Sequence, residues 1–101
     1  MKIQNVPSEF RKMSRNMTSG LFDLVETEDD AVAHALIGFD LRDAEVLRSF
    51  LAEIVAPENS AEDLQQLWSS VPSGVYFSDG EELRRFLQSI LSAVRSKPYL
   101  T

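Results

Sequence analysis

The sequence predicts a mainly α-helical protein, folded as a single compact bundle of four or five helices with at most one short extended segment near residues 75–77. Apolar residues recur at helical spacing in several stretches, and residues that favour helix N-caps precede the clearest of these stretches. The chain has 101 residues, of which 44% are hydrophobic and 26% are charged. These values are typical of one globular domain with its own core, so the domain is expected to span residues 1–101.

The first forty residues predict two helices. Pro7 stands at a first helical position, and apolar residues then recur at helical spacing until Gly20 breaks the pattern. Residues 1–22 are accordingly expected to form a loosely packed N-terminal helix. A second helix is expected over residues 28–37, ended by Gly38.

Two further helices are expected over residues 41–56 and 61–70. Asp40 is placed to cap the first of them. Ser60 caps the second, and Asp63 stands three residues later, at the partner position of a capping box.

The stretch VPSGVYFSDGEELRRFL predicts a turn followed by the last helix, over residues 79–96. Ser78 followed three residues later by Glu81 has the pattern of a capping box, in which Glu81 folds back onto the helix start. Consecutive side chains of a short extended segment alternate, so Tyr76 points outward if Phe77 packs inward. The predicted core of these last three helices consists of Leu47, Phe50, Leu51, Leu64, Leu67, Trp68, Phe86, Leu87 and Ile90.

Charge is distributed unevenly along the chain. The formal net charge is −6, but residues 1–22 carry +3 and residues 83–101 carry +4. Residues 23–82 carry fifteen acidic side chains against two arginines, a net charge of −13. Phosphate repels carboxylate, so we expect no direct nucleic-acid partner and no membrane partner, and the acidic middle favours a basic protein. The alternative is that the acidic surface serves solubility alone.

The residues that carry most enzyme chemistry are scarce. There is no cysteine, and His34 is the single histidine, set in an apolar helical stretch. The adjacent carboxylates stand at predicted helix starts, where they interact with free backbone N–H groups. We therefore expect no catalytic residue, no metal site, no cofactor and no enzymatic activity.

The acidic helix starts instead predict a binding surface. Two of them flank the exposed-looking aromatic segment, and aromatic residues anchor an interface while carboxylates steer association. Glu81 is left out of this surface because it is expected to fold back onto its own helix. The predicted partner-binding residues are Glu62, Asp63, Tyr76, Asp79 and Glu82.

Residues 45–91 resemble the small immunity proteins of bacterial contact-dependent growth inhibition systems. The shared pattern is a helix containing leucine and tryptophan, a short break, an aromatic pair, Asp-Gly, and then Leu-Arg-x-Phe-Leu. It is carried here by Leu64, Leu67, Trp68, Tyr76, Phe77, Asp79, Gly80, Leu83, Arg84, Phe86 and Leu87.

The resemblance implies a cytoplasmic immunity protein that neutralises a cognate protein toxin domain, commonly a basic nuclease, by covering its active site or substrate surface. A monomer in a 1:1 complex is expected. Another acidic helical adaptor stays open as an alternative, such as a secretion chaperone or a phage-encoded inhibitor of a nucleic-acid-binding enzyme.

Overall fold

The computed structural model describes residues 3, 5–96 and 98–99, and within these residues it contains helices and no strand. Its Cα radius of gyration is 12.6 Å, as expected for a compact domain of this length, about 13 Å. The helices are α1 (Ser8–Asn16), α2 (Leu21–Leu24), α3 (Glu28–Ala35), α4 (Leu41–Ile54), α5 (Ala61–Ser69) and α6 (Gly80–Val94).

The predicted class, a mainly helical compact bundle, is confirmed. In the structure, α3 to α6 each end one or two residues earlier than predicted. The helix expected over 79–96, for example, covers Gly80–Val94. Pro7 is the N-cap of α1 rather than its first helical residue. The described part of the chain contains six helices, against the four or five expected; the unexpected one is α2, a single turn of four residues. Residues 75–77 belong to no helix or strand.

The core lies around α6, which packs against α3, α4 and α5, while α1 packs against α3 and α4. All nine predicted core residues of α4, α5 and α6 are buried in one hydrophobic cluster. Phe10, Met13 and Met17 are also fully buried, so the N-terminal segment contributes to the same core. The ring of Phe10 contacts Phe50 and Trp68 edge to face, at centroid distances of 5.1 and 6.0 Å.

Arginine side chains close the C-terminal ends of α4 and α6 reciprocally. Arg84, near the start of α6, donates to the carbonyl oxygens of Val55 and Ala56 at 2.7 and 3.1 Å, and also to that of Asn59. Arg48, in the middle of α4, donates to the carbonyl oxygen of Val94 at 2.8 Å. These bonds satisfy carbonyl groups that have no partner within their own helix, and they show that α4 and α6 run antiparallel.

A second set of bonds holds the connection between α3 and α4. Asn16 of α1 donates its side-chain amide to the carbonyl oxygens of Ala35 and Ile37, both at 2.9 Å. Lys12 donates to the carbonyl oxygen of Gly38 at 2.7 Å and forms an ion pair of 2.8 Å with Asp43. The hydrogen bond from Lys12 is the main reason why the pKa of Asp43 lies below its usual value.

The predicted Ser78–Glu81 capping box is wrong. The N-cap of α6 is Asp79, whose Oδ1 accepts a hydrogen bond of 2.9 Å from the backbone N–H of Glu81. The carboxylate of Glu81 does not return to the helix start but pairs with Arg84 at 3.2 Å. Aspartate and serine are comparable N-cap residues, so local preference could not decide between Ser78 and Asp79. The choice depends on how the preceding segment packs.

Candidate partner-binding surface

The starts of α5 and α6 lie against each other. A Cβ atom placed on Gly80 would overlap the carbonyl oxygen of Ala61 and lie 2.6 Å from the Cβ of Ala61. Only glycine permits this approach of the two backbones. The close contact brings together the two acidic helix starts that the sequence predicted as parts of one surface.

The two predicted carboxylates of α5 differ in their freedom to contact a partner. Asp63 is half-buried and belongs to a capping box: its Oδ2 accepts from the backbone N–H of Ser60 at 3.0 Å. In return, the hydroxyl oxygen of Ser60 accepts from the backbone N–H of Asp63 at 3.1 Å. Glu62 is exposed beside this box. Glu62 is therefore the carboxylate of α5 that points to solvent, and Asp63 mainly maintains the helix start.

Asp79 and Glu82 are both exposed in the first turn of α6. Asp79 combines its N-cap role with a surface position. Glu82, three residues further along, lines a cleft of about 450 Å³ between α6 and the segment that carries α2 and the start of α3. Both carboxylates also suit the positive end of the α6 dipole.

Tyr76 is the most exposed large apolar residue of the described chain, at 83% of its full accessible area, whereas Phe77 is 6% exposed. The predicted alternation is thus confirmed. Trp68 donates its indole N–H to the carbonyl oxygen of Val75 at 2.9 Å, and Gln65 donates its amide to the carbonyl oxygen of Phe77 at 3.4 Å. Bonds on both sides of Tyr76 therefore hold its backbone against α5.

A contact with the end of α1 anchors the same connection further upstream. The backbone N–H of Gly74 donates to the carbonyl oxygen of Met17 at 2.8 Å, and a Cβ on Gly74 would lie 2.5 Å from the backbone nitrogen of Ser19. The exposed ring of Tyr76 is consequently carried by an ordered backbone, which lowers the entropy lost when a partner binds it.

Phe77 separates two depressions of this surface. A smaller one, of about 160 Å³, includes Trp68 and Tyr76, and the 450 Å³ cleft includes Glu82. Phe77 lines both of them. Tyr76 and Glu82 are thus held on neighbouring depressions rather than in one pocket.

The sequence reasoning missed the wall of the larger cleft. Phe22 of α2 is 44% exposed and meets Phe77 and Phe86 edge to face, at centroid distances of 6.0 and 5.6 Å. Glu26 and Arg85 also line the cleft. Because α2 is a single helical turn, its apolar residues are too few to show a helical period. The one sequence feature that could have indicated a surface role is the aromatic residue next to an acid in the run LFDLVE.

Within the described residues, no group of three or more histidine, cysteine, aspartate or glutamate side chains is arranged to hold a metal ion. His34 is half-buried on α3. The arrangement is suited to contact with another macromolecule: an exposed aromatic side chain on an ordered backbone, exposed carboxylates on two adjacent helix starts, and a cleft with aromatic walls.

No family model, curated protein or solved structure matches the chain. In the part of the chain that the structure describes, none of the helices has the length and apolar character needed to cross a membrane.

Proposed function

We propose that this chain is a toxin-neutralising immunity protein, which binds a cognate, basic nuclease domain and blocks its active site or substrate surface. One observation supports the proposal most directly: Tyr76 is 83% exposed on a backbone held at both sides, next to the joined acidic starts of α5 and α6. An exposed aromatic side chain lowers solubility, and a role in binding accounts for the exposure of this one. The resemblance of residues 45–91 to immunity proteins points in the same direction.

Electrostatics supports a basic partner. A nuclease holds the phosphates of its substrate with basic side chains, and an inhibitor can offer carboxylates to the same groups. Opposite charges raise the rate of capture towards ~10⁸–10⁹ M⁻¹s⁻¹ at low salt. Fast capture suits an inhibitor that must act before a free toxin reaches its substrate.

The molecule has enough surface for such a complex. Its accessible area is 5863 Å², and a standard interface takes about 800 Å² from each partner. An interface of that size would require about a seventh of the surface. The proposal requires no catalytic group.

The first experiment asks whether the protein binds and neutralises a toxin. The protein is used in a pull-down with the C-terminal domain encoded by the gene directly upstream, and cells expressing that domain are tested for rescue. A 1:1 complex and restored growth are expected. An upstream product that neither binds nor harms cells would contradict the proposal and would favour the acidic adaptor.

The second experiment tests the surface by stopped-flow association at low and high salt. Glu82→Lys and Asp79→Asn should slow association and flatten its salt dependence; asparagine keeps the N-cap of α6 while removing the charge. Tyr76→Ala should instead speed dissociation, because buried anchors act mainly on that step.

Glu45→Lys makes the same charge change as Glu82→Lys at an exposed position of α4 and serves as the matched control. Melting curves identify any variant that has lost its fold. If all surface variants bind like the parent protein, the interface lies elsewhere, and the next candidates are the carboxylates around the start of α3: Glu26, Glu28, Asp29 and Asp30.

A further inference from the structure

We infer that the cleft between α2 and α6 receives an arginine side chain of the partner protein. The inference rests on the proposed function, because the arginine is supplied by the bound partner. It adds to that proposal a specific subsite, separate from Tyr76, and the chemistry that the subsite recognises.

The cleft has aromatic walls. Phe22, Phe77 and Phe86 line it, and the rings of Phe77 and Phe86 lie 5.7 Å apart in a tilted arrangement. Phe22 leaves 44% of its area open, whereas Phe77 and Phe86 are 6% and 4% exposed. A volume of about 450 Å³ lies within the usual range of ligand pockets, roughly 300–1,000 Å³. The cleft can therefore hold a large side chain against an accessible aromatic surface.

The rim of the cleft is acidic. Glu26, Glu28 and Glu82 line it together with one cation, Arg85. Among the described residues, neither Glu26 nor Glu82 has an ion-pair partner, and Arg85 has none either. The side chains at the rim thus carry two more negative than positive charges, which favours a cationic occupant.

Glu28 is held in place at this rim. The hydroxyl of Ser89 on α6 donates to Oε1 of Glu28 at 2.6 Å and so ties the start of α3 to α6. Oε2 of Glu28 makes no hydrogen bond within the described residues and is free to accept one from a ligand. A fixed carboxylate beside an aromatic surface loses little freedom on binding.

These features fit arginine better than lysine. A guanidinium group is planar, so it stacks on an aromatic ring while its edge donates two parallel hydrogen bonds to a carboxylate. A lysine ammonium is a more strongly hydrated point charge, with no flat face for the ring. The cleft offers both an aromatic surface and carboxylates along its edge.

The test uses capped tripeptides, because a peptide separates the subsite from the whole interface. Acetyl-Gly-Arg-Gly-amide is titrated into the full chain, and the ring signals of Phe22 and Phe86 are followed by NMR. Saturable shifts at these rings are expected, with weaker binding of the lysine peptide and none of the glutamate peptide. Stronger binding of the glutamate peptide would show that the cleft is an anion site and would overturn the inference.

Variants show whether each side chain of the cleft strengthens or weakens binding of the arginine peptide. Phe22→Leu keeps the apolar volume and should weaken the arginine peptide roughly two- to fivefold by removing the aromatic surface. Glu82→Gln should weaken it by up to about fivefold, as for an exposed ion pair. Arg85→Gln should strengthen it, because the competing cation is gone. Glu45→Gln is the matched control and should leave the affinity unchanged.

Tyr76→Ala separates this inference from the proposed function. It should weaken binding of the whole toxin domain and leave the peptide titration unchanged, because Tyr76 lies outside the cleft. Peptide shifts that do not saturate in the parent protein, or that persist fully in Phe22→Leu with Glu82→Gln, would overturn the subsite. The pull-down with the whole toxin domain would still test the proposed function on its own.

Discussion

Gly80→Ala should destabilise the protein, although alanine is a better helix former than glycine. At an unconstrained helix start the change would stabilise by up to about 1 kcal/mol. Here the new methyl group would overlap the carbonyl oxygen of Ala61 and lie 2.6 and 2.7 Å from its Cβ and carbonyl carbon. The first turn of α5 holds that backbone through the Ser60–Asp63 capping box, so it cannot move freely.

Overpacking of this kind costs typically 1–3 kcal/mol. Because rigid backbone atoms are involved, we expect a net loss of about 2 kcal/mol after the gain in helix propensity is subtracted. This corresponds to a fall in melting temperature of roughly 8–16 °C for a domain of this length. The measurement is urea unfolding followed by circular dichroism, with a thermal scan of the same samples.

A double-mutant cycle shows whether the contact with Ala61 is the cause. Ala61→Gly removes one of the atoms that the new methyl group would meet, so Gly80→Ala should cost less in that background than in the parent protein. The relief should be partial, because the carbonyl group of residue 61 remains. A Gly80→Ala variant that is as stable as the parent, or more stable, would refute the close approach of the two helix starts.

Three more predictions concern helix ends and the ion pair of α1. Asp79→Ala should cost about 1 kcal/mol in urea unfolding, and Ser78→Ala less than about 0.5 kcal/mol; the reverse order would restore Ser78 as the N-cap. Arg84→Met should cost about 2 kcal/mol, because it leaves the carbonyl group of Val55, the C-cap residue of α4, without its donor. The lowered pKa of Asp43 predicts a stabilisation that is present above the unfolded value, about 3.9, and is lost as the pH falls through the lower folded value. Unfolding free energies of Asp43→Asn and the parent should therefore converge in acid, and a constant difference across pH would contradict this.

The sequence predicted the helices best where caps and periodicity agreed. Asp40 and Ser60 were expected as N-caps, and both accept the hydrogen bonds that define a capping box. At α6 two good cap residues follow each other, and each has a glutamate three residues later. Local preference could not choose between them. Asp79 is the cap in the structure, and the burial of Phe77 two residues before it is a tertiary contact that local preference does not predict.

The candidate surface was predicted in part. Tyr76 is exposed as expected, and the starts of α5 and α6 do meet, but Asp63 is occupied by its capping box. The contributions of Phe22 and Arg84 could not be read from the sequence. Phe22 meets residues more than fifty positions away, and Arg84 reaches carbonyl groups more than twenty positions away. Such roles depend on how distant segments pack, which no local pattern encodes.

Because of the arginine exchange between α4 and α6, the earlier helices gain their full set of contacts only after α6 has been synthesised. While the ribosome is still adding residues before Arg84, the carbonyl group of Val55 lacks its arginine donor, and the sides of α3, α4 and α5 that pack against α6 are uncovered. Chains emerge at about 5–20 residues per second, so this exposed state lasts for seconds in each copy. A copy that stops short of α6 keeps its apolar surfaces open and becomes a substrate for cellular proteases. We therefore expect copies that include α6 to persist longer in the cell than copies that stop short of it.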